Sequence, residues 1–159
     1  MPKSFIVAPL PAGDLALAFP VVQPVHPAMT LAEWQAMAAP FAAPDARRGI
    51  VACRMGRGHV RGLYCHALDD TATLRVSLFA VAGLFDARAT AEALVEAIDQ
   101  TARQGEAARI VVEPGGLAAT TVSRCDLPAL FRKHGYRPEG GALVRDGTAA
   151  EPRTVTASA

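Results

Sequence analysis

The chain has 159 residues, enough for one domain with its own core and too few for two comfortable ones. Hydrophobic residues make up 51%, which excludes a globally disordered chain, and 16 Lys and Arg against 15 Asp and Glu leave a net charge of +1. That balance offers no electrostatic ground for nucleic acid or an anionic membrane as the main partner.

Residues 1–13 carry three prolines and are expected to be irregular. The apolar run from Phe5 to Leu10 is short, and Pro9, Pro11 and Asp14 interrupt it, so it suits neither a membrane span nor a secretory leader. Leu15 to Val25 reads as an extended segment that Pro20 and Pro24 confine to a sheet edge. Thr30 and Glu33 then form a capping box, with Met29 and Trp34 placed for a hydrophobic staple. The helix they start is expected to stop near Ala39, before Pro40, with Trp34 as a core anchor ahead of a binding platform.

Arg48–Met55 and His59–Ala67 read as a hairpin around Gly56, Arg57 and Gly58. Arg47, Arg48, Arg54, Arg57 and Arg61 are read as its solvated rim ahead of an anion site. After a turn at Asp69, Asp70 and Thr71, residues 73–82 alternate, with Leu74, Val76, Leu78 and Ala80 on one face and Arg75, Ser77, Phe79 and Val81 on the other. A long amphipathic helix follows over 88–104, burying Leu94, Val95, Ile98 and Ala102. Ala108–Val112 is a short strand, parallel to its predecessor because a helical crossover separates them.

Residues 115–124 read as a loop. Asp126 caps a short helix that tolerates Pro128 in its first turn and ends at Gly135. Residues 136–145 form a last strand, kinked at Gly140 and Gly141, and 147–159 a flexible tail. The fold class is α/β in the broad α+β sense: one domain over 14–146, a mixed, mostly antiparallel sheet flanked by helices.

Cys53, Cys65 and Cys125 are odd in number and lack CxxC spacing, and His26, His59, His66 and His134 show neither HxxxH nor HExxH. A disulfide framework and a metal site are therefore not expected, and a reducing cytoplasm suits the thiols. Cys65 is read as a small buried thiol rather than a nucleophile.

The order of elements resembles that of GNAT-type N-acetyltransferases from about Leu15 to Arg145. The segment SLFAVAGLFDARATAEALVEAIDQ is similar to the family's cofactor motif, Q/R-x-x-G-x-G/A after a bulged strand. Aligned on Ala93–Val95, the motif falls on Asp86, Ala87, Arg88, Ala89, Thr90 and Ala91, of which the last position alone fits. Ala89 adds a methyl but keeps its N–H. Asp86 either repels a diphosphate or caps the helix, and Arg88 is placed to offset it.

The resemblance implies acetyl-CoA as cosubstrate, bound by Phe79, Val81, Ala87, Arg88, Ala89, Thr90 and Ala91, with the pantetheine arm in a gap between this strand and the next parallel one. The Val81 N–H would polarise the thioester carbonyl. LFRKHGY is similar to the family's Y-x-x-x-G-F segment, with Phe131 where a proton-donating Tyr is usual and Tyr136 as a core aromatic. Candidates for moving the acceptor's proton are Glu113, His66, Tyr64 and Ser77. Glu113 ends a strand at its carboxyl edge, where open α/β sheets bind ligands.

The resemblance thus points to acetyl transfer to a primary amine, on a small molecule or a protein, by direct attack. Two alternatives stand beside it: a noncatalytic GNAT-fold module that binds CoA or a partner, and a cleft repurposed for another small ligand. The Pro-rich N-terminus and the last strand each offer a way to pair into a homodimer.

Overall fold

The structure, a computed structural model, describes residues 5–43, 45, 47–56, 59–82, 87–113, 117–119 and 126–147. Arg57, Asp86, Cys125 and residues 148–159 lie outside that set, so the expectations placed on them are not addressed by it.

Among the described residues eight strands form one sheet: β1 (Phe5–Pro9), β2 (Arg48–Met55), β3 (His59–Leu68), β4 (Thr73–Val81), β5 (Arg109–Val112), β6 (Leu117–Ala119), β7 (Arg137–Glu139) and β8 (Ala142–Asp146). Their order is β1-β2-β3-β4-β5-β8-β7, with β6 off this path beside β4. Pairing is antiparallel except where β4 meets β5 and β6. This is the expected single mixed α/β domain, with β4 and β5 parallel across a helical crossover.

Helices α1 (Leu15–Val22) and α2 (Leu31–Ala42) cover one face, burying Leu15, Val21, Val22 and Trp34 against Ile50, Leu63, Cys65, Leu78 and Ala80. Helices α3 (Ala87–Gln104) and α4 (Leu127–Lys133) cover the other. There Leu94, Val95, Ile98, Leu130 and Phe131 meet Tyr64, Leu74, Val76, Phe79, Val81, Ile110 and Val112. Trp34 is an anchor: fully buried, it donates from Nε1 to the Leu15 carbonyl at 2.7 Å and ties α2 to α1.

The local signals at helix starts hold. Thr30 Oγ1 accepts from the Glu33 N–H at 3.2 Å while Glu33 Oε2 accepts from the Thr30 N–H at 2.8 Å, completing the capping box. Asp126 Oδ1 accepts from the Ala129 N–H at 3.1 Å, with Pro128 inside the first turn. The turn at Asp69 also forms: its Oδ1 accepts from the N–H groups of Thr71 and Thr73 and from the Thr71 hydroxyl.

Four expectations need correction. Phe5–Pro9 is a strand, paired in register with β2, because Phe5 and Val7 pack half-buried against the α3 side and Pro9 falls at the strand's last position. Leu15–Val22 is a helix. Pro20 costs it one backbone bond, and burial of Leu15, Ala18, Val21 and Val22 at helical spacing outweighs that loss. Likewise α2 passes through Pro40 to Ala42. The last strand is a hairpin, β7 and β8 joined by Gly140 and Gly141 at φ of +59° and +83°, the left-handed backbone a two-residue turn requires.

Two further differences bear on function. The alternation read along β4 breaks at Ser77, and residues 117–119, expected in a loop, form β6.

Candidate functional site

β3 and β4 pair residue for residue from Gly62–Val81 to Cys65–Leu78, and resume at His66–Val76, leaving Ser77 as an extra residue on β4. This bulge reverses the faces. Before it Leu74 and Val76 point into the α3 core. After it Phe79 and Val81 do so, while Leu78 and Ala80 join the α1–α2 core. Ser77 and Leu78, adjacent in sequence, therefore line the same cavity on the α1–α2 face.

The bulge also marks where β4 loses its parallel neighbour. β5 pairs with β4 through Val112–Val76, and the Glu113 N–H donates to the Val76 carbonyl at 2.9 Å. From Ser77 to Val81, β4 runs on without β5. Its edge at Phe79, Ala80 and Val81 is taken by β6, which pairs there in parallel.

The first turns of α3 pack over β3. Gly62 on β3 is what lets them lie so close: a Cβ there would sit 2.8 Å from Leu94 Cδ1, 2.9 Å from Thr90 Cγ2 and 3.1 Å from the Ala80 carbonyl. The first turns bury Ala87, Thr90 and Ala91 and turn Arg88 and Ala89 outward. Thr90 Oγ1 is buried with no hydrogen-bond partner among the described residues. Arg88 and Lys133 approach Glu92 at 3.5 and 3.9 Å in exposed pairs that contribute little to stability and leave two cations near the helix start.

The four candidates for proton transfer do not come together. Tyr64 and His66 lie on the α3 face, ring centroids 5.7 Å apart. Tyr64 is fully buried and its hydroxyl lies 2.8 Å from Thr101 Oγ1. Because Thr101 donates its own proton to the Ala97 carbonyl at 2.9 Å, the phenol is the donor. Burial pushes that phenol far above its ordinary range, and burial holds the His66 imidazole below its usual value. Ser77 is exposed on the opposite face, and half-buried Glu113 sits where β5 leaves β4.

Three cavities border these elements. One of about 400 Å³ lies on the α3 face between β1 and α3, reaching Tyr64, and one of about 570 Å³ lies at the end of the sheet between the C-terminal ends of α2 and α3, reaching His66. Both lie past the first turn of α3. The third, of about 120 Å³, is lined by Ser77 and Leu78 at the bulge together with Cys65, Ala38, Met37, Phe41 and His26. His26, from the turn between α1 and α2, had no local signal to single it out, since tertiary packing alone brings it over the bulge. Burial lifts Cys65 to about 12 and Cys53 to about 11, so both thiols stay protonated, as expected of small buried cysteines.

No protein-family model matches the chain, and no curated protein sequence matches it. Solved structures do. The aminoglycoside 6'-acetyltransferase type Ii superposes with a TM-score of 0.67 at 12% identity, covering 91% of this chain and 97% of that one. Ard1 from Thermoplasma volcanium gives 0.66 at 14%, covering 90% and 97%. An acetyltransferase of the GNAT family from Streptococcus pneumoniae gives 0.65 at 12%, covering 91% and 99%.

The fold is that of the GNAT N-acetyltransferases.

In a GNAT fold the acyl donor's pantetheine arm lies between β4 and the next parallel strand, held by backbone groups. Here β6 pairs with the β4 edge past the bulge at Phe79–Val81, where the resemblance implied an open gap. Arg88 and Ala89 face outward at the start of α3, and Ala87, Thr90 and Ala91 are buried beneath them. Phe131, at the usual position of the proton-donating Tyr, is fully buried between Phe79 and Tyr136 and presents no polar atom. Tyr136 packs in the core, as read from its sequence position. No helix among the described residues is long and apolar enough to cross a membrane.

Proposed function

We propose that the protein is an acetyl-CoA-dependent N-acetyltransferase that passes an acetyl group to a primary amine by direct attack. One observation carries this reading: β4 bulges at Ser77 and outruns β5, its edge past the bulge meeting only the short β6, while the first turn of α3 turns Arg88 and Ala89 outward. That combination serves a donor with a diphosphate at one end and an amide-bearing arm at the other. Structural neighbours named as acetyl- or acyltransferases support the same chemistry.

When bound, acetyl-CoA supplies an activated thioester. The chain supplies position. The first-turn N–H groups of α3 and the Arg88 guanidinium hold the diphosphate. Extended backbone at Phe79–Val81 aligns the arm, with the Val81 N–H directed at the carbonyl oxygen. Ser77 and Leu78 open toward the small cavity under His26, which receives a slender primary amine, free or at the end of a flexible chain. Glu113, at the point where β4 and β5 part, is the candidate to accept the amine's proton, and Ser77 the candidate to hold the amine by a hydrogen bond. A thiolate, with an ordinary thiol pKa near ~8.5, leaves without an acid, so Phe131 is tolerable in this scheme.

A second reading, a noncatalytic module that binds CoA or a partner, is favoured by one observation: the apolar stack of Phe79, Phe131 and Tyr136 where the family keeps its acid. Thermal unfolding with and without acetyl-CoA tests both. Saturation at one hundred times Kd stabilises by about 2.7 kcal/mol, and no rise in midpoint at millimolar acetyl-CoA would sink both CoA-dependent readings.

A further inference from the structure

We propose that β1 is a dimerisation edge, pairing antiparallel with β1 of a second copy of this chain across a two-fold axis, so that two sheets join into one. The inference stands apart from the acetyl-CoA reading, since β1 lies three strands away from β4.

The sheet ends in two outer strands, and they are built differently. β7, at one end, is Arg137, Pro138 and Glu139, all exposed. Its arginine and glutamate are held in ion pairs and its proline has no N–H to donate. Charges and a proline are what keep a sheet edge from pairing with another chain. β1, at the other end, runs Phe5, Ile6, Val7, Ala8 and Pro9, with no charge among them. Ile6 is 52% exposed, more than any other large hydrophobic residue among those described.

The two edges of β1 can be told apart. The Leu10 N–H donates to the Ile50 carbonyl at 2.8 Å, in register with Pro9 opposite Val51. Backbone groups alternate along a strand, so Ile6 and Ala8 turn theirs to β2 as Leu10 does, while Phe5, Val7 and Pro9 turn theirs outward. Among the described residues no strand pairs with that outward edge. Pro9 falls on the outward side, where its missing N–H takes nothing from the pairing with β2.

Set against itself about Val7, the strand is self-complementary. The two Val7 residues exchange N–H···O=C bonds, and each Phe5 N–H meets the carbonyl of the second copy's Pro9, which accepts without needing a donor. On the α1–α2 face, large Ile6 falls opposite small Ala8 in both halves, as a close cross-strand pair. On the α3 face, Phe5 falls opposite Pro9, and the apolar row of Phe5, Val7 and Pro9 that lines the cavity between β1 and α3 continues across the axis. An edge that is its own complement favours a second copy over a foreign strand. Such an isologous pair uses up both β1 edges, and the charged β7 edges stop further growth, so the assembly closes as a dimer.

Sedimentation equilibrium of the full chain tests the pairing. The parent should dimerise below millimolar concentration. Val7→Pro removes the central outward donor from both copies and spares every bond to β2, so its dimer dissociation constant should rise at least roughly tenfold. In the parent, the Phe5 and Val7 amides should exchange hydrogen slowly in concentrated solution and fast on dilution. The Ile6 and Ala8 amides, bonded to β2, should stay protected at both concentrations. A parent that remains monomeric up to millimolar concentration refutes the pairing, and so does a dimer that Val7→Pro leaves unweakened. Should Val7→Pro fail to fold, exchange in the parent decides: Phe5 and Val7 amides indifferent to a dilution that dissociates the dimer refute it.

Discussion

Phe131 meets Phe79 edge to face, with ring centroids 5.0 Å apart and planes at 76°. Tyr136 meets Phe131 in the same way at 4.9 Å and 85°, so three aromatic rings from α4, β4 and the turn before β7 form one stack. Phe131 is fully buried. Phe131→Ala should therefore cost about 3–5 kcal/mol in urea unfolding. Phe131→Tyr, which places a hydroxyl in the same apolar setting, should cost about 1–3 kcal/mol while it remains unpaired.

Tyr64 belongs to structure on this view. Its hydroxyl donates to Thr101, whose own proton goes to Ala97, so the phenol bridges β3 and α3. Tyr64→Phe should lower stability by about 0.5–1.5 kcal/mol and leave the acetyl-CoA affinity unchanged, measured by titration. A variant that kept full stability but lost acetyl transfer would assign the phenol to chemistry instead.

Gly62 sets the distance between α3 and the sheet. Gly62→Ala drives a methyl against Thr90, Leu94 and the Ala80 carbonyl. The Ala80 carbonyl cannot yield as a side-chain tip does, so the Leu94 and Thr90 side chains must give way or the start of α3 must ease outward. We expect a loss of about 1–3 kcal/mol in stability. Weaker acetyl-CoA binding should accompany it, whereas Gly13→Ala, where a Cβ meets nothing within 4 Å, serves as the control with neither effect.

His66 supplies a pH signature. Burial lowers its pKa in the folded chain, so the unfolded chain takes up the proton first as the pH falls through about 6.5. The stability that depends on a neutral His66 is thus complete above that pH and lost progressively below it. Between pH 6.5 and the lower folded value, the parent should lose up to ~1.4 kcal/mol per pH unit relative to His66→Gln. Parallel stability curves for the two proteins from pH 7.5 to 5.5 would contradict this.

Local chemistry was legible in the sequence where it is self-contained. The Thr30–Glu33 box, the cap at Asp126, the β2–β3 hairpin and the buried stripe of α3 form from neighbours a few residues apart. What the sequence hid depends on distant partners. Pro20 argued against a helix until the packing of Val21 and Val22 on the sheet outweighed it. β1 exists because β2 offers it an edge, and β6, made of Leu and two Ala, because β4 does.

The candidate site was legible in outline and not in arrangement. Alternation along β4 gave no sign of the bulge at Ser77, which moves Leu78 to the face of Ser77 and Phe79 to the face of Val76. Nor could spacing reveal that Tyr64 and His66 lie across the sheet from Ser77, or that His26 closes the cavity above it.

Release of CoA thiol from acetyl-CoA, followed with the purified protein across a panel of small primary amines and amine-bearing peptides, tests acetyl transfer most directly. The account predicts release that saturates with at least one amine and exceeds the rate with that amine and no protein. If acetyl-CoA raises the thermal midpoint yet no amine accelerates release, the protein binds the donor without using it, and the claim of catalysis is contradicted.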